Sequence, residues 1–522
     1  MNFSKIGKYA FAGLLLIGVN QSCTDLETEI YSEIETDDFF QSEEEIISAL
    51  GAAYTSLYGY MGDPFAVQEV TTDEVVVPTR GNDWDDGGNW RRLHLHTYVP
   101  NDPFMNGAWN FNFGGVNTCN RLLFQFEQLG VIGANSGPEG ASAEAELTAL
   151  RAFFYAQLLD MFGNVPIVDN FDVPAGFAPE NNSSAEVFAF VEESLLSSMD
   201  NLDKTVGGSA YARMNFYTAQ AVLANLYMNA EKYTGEDRYD DALTALNEIM
   251  DSGRFALAGN FFDNFKTDNA ASPEIIFAIP YDQIFATGFN INARTLHYGS
   301  QQTYDFTFQP WNGYCSLEEF YNGYDDSDVR KDQFIQGQQF TLGGDEVLDS
   351  GAEADDFNGP PLFFQAEINE LGPNALRQAG VRIGKYEFAI GATENLSNDF
   401  LFYRYADIML LKAEALMRTG GDMGEAMDLV NAIRNRAGLD DMDDMDMDDL
   451  YEERRREMAF EGKARTDMIR FGKYNDEWWA KNNPAVESEF AQPARLDEEV
   501  RLFPIPEPQL NANVNLRQND GY

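Results

Sequence analysis

Apolar residues recur at three- and four-residue spacing from Glu144 to Phe162 (EAELTALRAFFYAQLLDMF), and the run stops at Gly163. That pattern predicts a helix ended by glycine. Phe216–Tyr233 and Tyr239–Ser252 predict a helix pair in which small alanines face bulky leucine and tyrosine. Leu401–Thr419 and Met423–Ala437 predict a second pair of the same kind, and Phe113–Gln128 a further helix that Trp109 precedes. Between the pairs, residues 253–400 show few helical signals and many aromatic, Gly and Asn residues. Short strands are expected there, Glu274–Ile279 (EIIFAI) among them, and the alternation LHLHTY around His94 and His96 also reads as a strand.

Paired helices with Ala-, Leu- and Tyr-rich faces follow the grammar of tetratricopeptide repeats, whose units stack by burying those faces. The expected fold is therefore mostly α: a tetratricopeptide-like helix-pair scaffold, a loop-rich face and a few short β-hairpins. No Gly/Ser/Pro-rich linker divides the chain, so residues 23–522 read as a single domain with loop-rich insertions near 60–115 and 253–400. The acidic run DDMDDMDMDD, Asp440–Asp449, lies between helical patterns and reads as a solvated loop, with a calcium site as the lesser alternative.

The amino terminus changes the picture. Lys5 and Lys8 precede the apolar stretch Tyr9–Val19, which is too short to span a bilayer and matches the core of a secretory signal over residues 1–22. Ser22–Cys23 follows the bacterial lipoprotein pattern, with Asn20 where leucine is usual, so Cys23 is the expected lipidation site. Cys119 and Cys315 then remain, and two free thiols are the preferred reading over a pair. With three histidines and no CxxC, neither a structural zinc site nor any other cofactor is expected.

Charge excludes further classes. Against 35 Lys and Arg stand 86 Asp and Glu, a net charge of −51, which repels nucleic acid, anionic membrane surfaces and polyanionic ligands. No GxSxG, HExxH, P-loop or Rossmann glycine pattern appears in a suitable context, and so many carboxylates make a chance glycosidase-like pair uninformative. The chain is not expected to be an enzyme.

Several motifs occur in a fixed order: ALRAFFYAQLLDMFGNVPIV (Ala149–Val168), LLKAEALMRTGG (Leu410–Gly421), RNRAGL (Arg434–Leu439), EERRREMAFEGKARTDMIRFG (Glu452–Gly472) and LFPIPEPQLNANVNLRQNDGY (Leu502–Tyr522). Together with Cys23 they resemble the SusD/RagB family. The chain departs from the family's pattern at Lys463–Asp467, where His-Arg-Trp-Phe-Asp is common, and at Val514 and Asp520, where proline is usual. The resemblance implies a lipoprotein on the outer surface of the outer membrane that binds glycans, or in some branches peptides, and serves a SusC-like TonB-dependent transporter. It also implies helix pairs supporting a loop-rich ligand face. The charged cluster Arg454, Arg455, Arg456, Glu457, Glu461, Arg465 and Asp467 reads as helix-locking ion pairs rather than an active site.

The segment Asp73–Trp109 holds the best functional candidates. Trp84 and Trp90 stand among Gly, Asn and Asp with few apolar neighbours, bracketed by Arg80, Asn82, Asp83, Asp85 and Asp86. Pyranose rings stack their C–H faces on indole, and their hydroxyls need carboxylate, amide and guanidinium partners. Family members commonly place glycan-binding aromatics in this early loop. Trp311, flanked by Tyr298, Tyr304 and Asn312, is the candidate to complete an aromatic arc, and His96 a candidate hydrogen-bond donor; a satellite core under the loops is the competing reading for Trp311. Trp109, Trp478 and Trp479 read as packing residues. The expected ligand is a neutral glycan, with a β-glucan such as laminarin as the specific guess. A peptide-binding member, a hydrolase and a scaffold without ligand are the alternatives.

Overall fold

The computed structural model describes residues 43–134, 136–349, 359–481 and 494–522, so the signal segment and Cys23 lie outside the described residues. Helices α1 (Glu43–Tyr54), α2 (Asp63–Glu69), α3 (Asn89–His94), α4 (Pro103–Gln128), α5 (Pro138–Phe162) and α6 (Ser184–Ser198) make the first half of the scaffold. Pro103 at the first turn starts α4, and a Ser183–Glu186 capping box starts α6 by satisfying otherwise orphaned backbone donors. Helix α5 is apolar on nearly every side, which suits its central place between α4 and α6. The α4–α5 approach depends on Gly115: a Cβ there would meet the Phe154 ring at 2.3 Å. Gly163, at φ +65°, ends α5.

The two helix pairs are present, with shifted ends. Helix α7 (Phe216–Met228), capped by Asn215, breaks at Asn229 into the short α8 (Ala230–Thr234), and α9 (Tyr239–Met250) returns along α7. After α10 (Ile291–Thr295), α11 (Gln301–Tyr304) and α12 (Glu318–Asn322), the second pair is α13 (Tyr405–Thr419) and α14 (Met423–Arg436), with α13 packed on α9. Helices α15 (Met447–Met458), α16 (Ala464–Phe471) and α17 (Glu507–Ala512) complete the chain. The acidic run leads into α15, where Asp446 caps the first turn by accepting from the N–H groups of Asp448 and Asp449.

Among the described residues four two-stranded antiparallel sheets stand between and beside the helices: β1 (Val75–Val76) with β3 (Cys315–Ser316), β2 (Ile275–Ile279) with β8 (Phe400–Arg404), β4 (Phe334–Ile335) with β7 (Arg382–Ile383), and β5 (Gly337–Gln338) with β6 (Phe363–Phe364). Three sequence expectations are corrected. Leu401–Arg404 is strand, not the first turn of α13; both faces of β8 are buried, so no alternation reveals it. His94 ends α3 and His96 follows at φ 55°, so LHLHTY is no strand. Trp109 lies inside α4, which starts ten residues before Phe113, and packs on Phe113 and Phe162. Cys119 and Cys315 are buried free thiols.

The main apolar core draws on residues from Leu50 to Leu516, and a smaller one lies among α13, α14 and α15. Beside it the charged motif of α15–α16 forms a buried ionic lattice. Arg404 reaches Glu457 at 2.6 Å and Glu461 at 2.7 Å, Lys385 reaches Glu461 at 2.5 Å, and Arg330 reaches Glu453 at 2.7 Å. Arg454 bridges Asp407 and Asp467, and Arg465 joins Asp160 of α5. Burial alone would raise the Glu457 pKa, but Arg436, Arg404 and Arg330 hold it well below the usual carboxylate range. The Leu502–Pro506 segment is extended, and the Phe503 N–H donates to the Met161 carbonyl of α5. These motifs fasten elements together.

Candidate functional site

The site grows from the β1–β3 pair, because the chain leaves β1 into the loop of residues 77–88 and approaches β3 through residues 311–314. Arg80 ties the two together. Its guanidinium donates to the carbonyls of Asn312 (2.8 Å), Gly313 (2.9 Å) and Ala379 (3.0 Å), and its Nε to Leu376 (3.2 Å). At 4 % exposure it is a buried clamp, so the expectation that Arg80 meets ligand is corrected. Backbone bonds in both directions between Arg80 and Asp83 close a tight loop beneath Asn82. Asn82 and Asp83 are exposed at its tip.

Trp84 follows at φ 61°, a left-handed conformation that an L side chain adopts only when its surroundings fix it. What fixes it is Trp311: the Trp84 Nε1–H donates to the Trp311 carbonyl at 2.7 Å, and the two indole rings lie 6.4 Å apart at 44°. Gly313 permits this approach, since a Cβ at that position would meet the Trp84 ring at 2.4 Å. Asn312, also left-handed at φ 56°, is buried; it donates to the Arg377 carbonyl at 2.9 Å and accepts from Arg382 at 2.9 Å. Trp84 and Trp311 are both half-buried, so neither residue is closed off from solvent.

Trp90 is different. It is 5 % exposed, its Nε1–H donates to Asp86 at 2.7 Å, and its ring packs on Phe104 (4.4 Å), Trp84 (5.3 Å) and Tyr314 (5.5 Å). The apolar partners that the local sequence lacks come from α4 and from residue 314. Trp90 is thus the floor beneath Trp84, and its place among the ligand-binding candidates is corrected. His96 is also corrected: it is fully buried, its Nε2 pairs with the Thr71 carbonyl at 2.7 Å, and it stacks on Tyr474 at 4.2 Å. Burial lowers its pKa well below the ordinary histidine value and keeps it neutral.

Around the two accessible indoles the polar groups are mostly acidic. Asp85 is half-exposed and paired with Arg91 at 2.8 Å. Tyr298, half-buried, donates its hydroxyl to the Asp83 carboxylate, and the Arg377 guanidinium lies 4.5 Å from its ring centre. Burial and the Asp83 charge push the Tyr298 phenol up, so it remains a donor. Tyr304 turns elsewhere: it stacks on Phe306 at 5.1 Å and meets Phe388 at 5.7 Å, and burial pushes its phenol up to about 12. The structure therefore brings Trp84, Trp311, Asp83, Asn82, Asp85 and Tyr298 to one surface and leaves Tyr304 outside the tryptophan cluster.

Sequence reasoning missed Arg377, Gly313 and Tyr314. A signal existed for Gly313, because Trp-Asn-Gly between bulky residues marks a close backbone approach. For Arg377 no local signal exists, since its role depends on segments remote in sequence. Among the described residues no group of three or more His, Cys, Asp or Glu is arranged to hold a metal ion, and no helix is long and apolar enough to cross a membrane.

With this geometry in view, the comparisons with known proteins are informative. The family model that matches is that of the SusD family, over residues 376–522. Among curated proteins, SusD-like protein P2 of Formosa agariphila is 24 % identical over 99 % of this chain and 100 % of its own length. The starch-binding protein SusD of Bacteroides thetaiotaomicron is 24 % identical over 89 % of this chain and 86 % of its own. Among solved structures, surface glycan-binding protein A from Bacteroides thetaiotaomicron in complex with laminarihexaose superposes with a TM-score of 0.73 at 23 % identity, covering 91 % of this chain and 99 % of that one. A laminarin-binding SusD-like protein gives 0.73 at 21 % identity, covering 92 % and 100 %.

Proposed function

We propose, for a chain that is SusD-like in its carboxy-terminal sequence and in its fold, a non-catalytic role in binding a neutral glycan at the Trp84–Trp311 surface. The observation that carries the reading is this pair of half-buried indoles, locked to each other by the Trp84 Nε1–H to Trp311 carbonyl bond and rimmed by Asn82, Asp83 and Tyr298. Two indole faces give a sugar chain its stacking platform, and the fixed carboxylate and amide offer partners for hydroxyls.

The charge at this surface favours a neutral ligand. Asp83, Asp85 and Asp86 stand at the rim, whereas Arg80 is spent on carbonyls, Arg91 on Asp85, and Arg92 on Asp102. Arg377, beside Tyr298, is paired with Asp349, so among the described residues a uronic acid or sulfated sugar would meet carboxylates without an unpaired arginine to receive it. The structural relatives that bind laminarin or laminarihexaose support a β-glucan of the laminarin type as the first ligand to test. No cation is required by this reading, so chelation with EDTA leaves binding unchanged.

The affinity fits a capture step. A half-covered indole buries about 100 Å² and contributes about 2–3 kcal/mol gross. Two such faces contribute about 4–6 kcal/mol, and where hydroxyl hydrogen bonds offset the ordering of a flexible glycan about that much remains, which is micromolar to millimolar dissociation. A protein held at the outer-membrane surface through Cys23 would bind at this strength and release its cargo to a TonB-dependent transporter, the partner that family resemblance supplies. Retardation in native gels cast with laminarin, lost in Trp84→Ala and Trp311→Ala, is the expected result. Binding of peptides instead, indifferent to both changes, would overturn it.

A further inference from the structure

We infer that Tyr298 and Arg377 are positioning residues that hold the Asp83 carboxylate as a fixed acceptor for a ligand hydroxyl beside Trp84. The inference rests on the glycan-binding reading and adds a device to it. An exposed aspartate at a loop tip ordinarily samples several rotamers, and ordering it on binding costs affinity. Here one carboxylate oxygen accepts the Tyr298 hydroxyl. The other, Oδ1, has no hydrogen-bond partner among the described residues, and Asp83 is exposed on the residue that precedes Trp84. The carboxylate is thereby half spent on orientation and half available.

Tyr298 is oriented in its turn. The Arg377 guanidinium lies 4.5 Å from its ring centre, and the His297 ring lies 5.1 Å away on the neighbouring residue. Arg377 is not free to leave: its NH1 is 3.2 Å from Asp349 Oδ1, and the second oxygen of Asp349 lies 3.3 Å from His297 Nε2. The backbone carbonyl of Arg377 accepts from Asn312 at 2.9 Å and from Arg382 at 2.8 Å. The segments that bear Tyr298 and Trp311 therefore converge on Arg377, and Asp83 joins them through the Tyr298 hydroxyl. Arg377 links the polar wall of the site to the segment that carries its second indole. The raised phenol pKa keeps Tyr298 a donor at neutral pH, which is the protonation state the hydrogen bond needs.

The test is calorimetric titration with laminarihexaose of the unmodified protein and of Asp83→Asn, Tyr298→Phe, their double variant, Arg377→Met and Arg377→Lys. Tyr298→Phe keeps the ring and removes only the hydroxyl. We expect about a tenfold loss of affinity for Asp83→Asn and about a fivefold loss for Tyr298→Phe, with unchanged melting temperatures. The double variant should bind no worse than Asp83→Asn, because Tyr298 acts through Asp83. Arg377→Met should weaken binding, and Arg377→Lys, which keeps a cation near the ring, should restore most of it. If Tyr298→Phe binds like the unmodified protein, or if the two single losses multiply in the double variant, the positioning role is overturned while the glycan reading stands. If the unmodified protein binds neither laminarihexaose nor any other neutral oligosaccharide tried beside it, the glycan reading falls and this inference with it.

Discussion

Trp84 and Trp90 are near neighbours in one glycine- and aspartate-rich loop, yet they have opposite fates. The difference lies in what reaches them from elsewhere: Phe104 and Tyr314 close over Trp90, whereas Trp84 is held at the surface by a carbonyl and by the absence of a side chain at Gly313. Two predictions follow from these contacts. Trp90→Ala removes a buried ring and should lower stability by about 3–5 kcal/mol in chemical denaturation, whereas Trp311→Ala, at the half-exposed partner, should weaken glycan binding with a far smaller loss of stability. Gly313→Ala forces the Trp84 ring aside and should weaken laminarin binding at least tenfold, as read by titration, although it touches no ligand. The residue types of the candidate site were legible in the sequence, because unaccompanied indoles among polar residues announce themselves. Which indole stays exposed was not, since burial is decided by partners far away in the chain. The same reason hid Arg377 and misplaced His96, whose cage of Tyr474 and Trp478 comes from the carboxy-terminal part.

At the scale of elements, the helix pairs were readable because the three- and four-residue spacing survives wherever one face of a helix meets the core. It failed where an element is buried on all sides. Strand β8 lacks alternation, and its partner β2 lies more than a hundred residues earlier, so Leu401–Arg404 reads as the start of a helix until the pairing is seen. The charged motif of α15–α16 was legible as structural glue, and the structure supplies its partners: Arg404 on β8, Lys385 and Arg330, with Glu274 beside β2 pairing with Arg404 in turn. Glu457 sits at the centre, fully buried among Arg330, Arg404 and Arg436. Removing one member of such a group strands the others, so Glu457→Ala should lower stability by about 3–5 kcal/mol. Thermal or urea unfolding at neutral pH checks this, and a loss below about 1 kcal/mol would show that the lattice relaxes around the gap.

The whole molecule carries only three histidines, and all three are buried. Burial lowers the pKa of His94 to about 4 and lowers those of His96 and His297 as well. A histidine whose folded pKa lies below its unfolded value contributes stability above about pH 6.5 and loses it as the pH falls toward the folded value. For His94 the loss is about 2 kcal/mol at pH 5. Glu69 acts with the opposite slope: burial raises its pKa to about 8, so its contribution is full below about pH 4.5 and fades as the pH rises through 8. The two trends overlap in mildly acid solution, so the histidine effect is best isolated by difference. The melting temperature of His94→Gln relative to the unmodified protein should shift in the variant's favour between pH 6.5 and 4, and a constant difference would contradict the assignment.

At this scale the proposed role is that of a largely helical scaffold, closed by its own ion pairs, that presents Trp84 and Trp311 as a joint platform for a neutral glycan. The measurement that tests it most directly is calorimetric titration of laminarin into the unmodified protein and into Trp84→Ala and Trp311→Ala, with melting temperatures recorded alongside. Micromolar to millimolar binding by the unmodified protein and at least a tenfold loss in each variant without unfolding are the predicted results. Binding that survives both substitutions, or no binding of laminarin or any other neutral glycan by the unmodified protein, would contradict it.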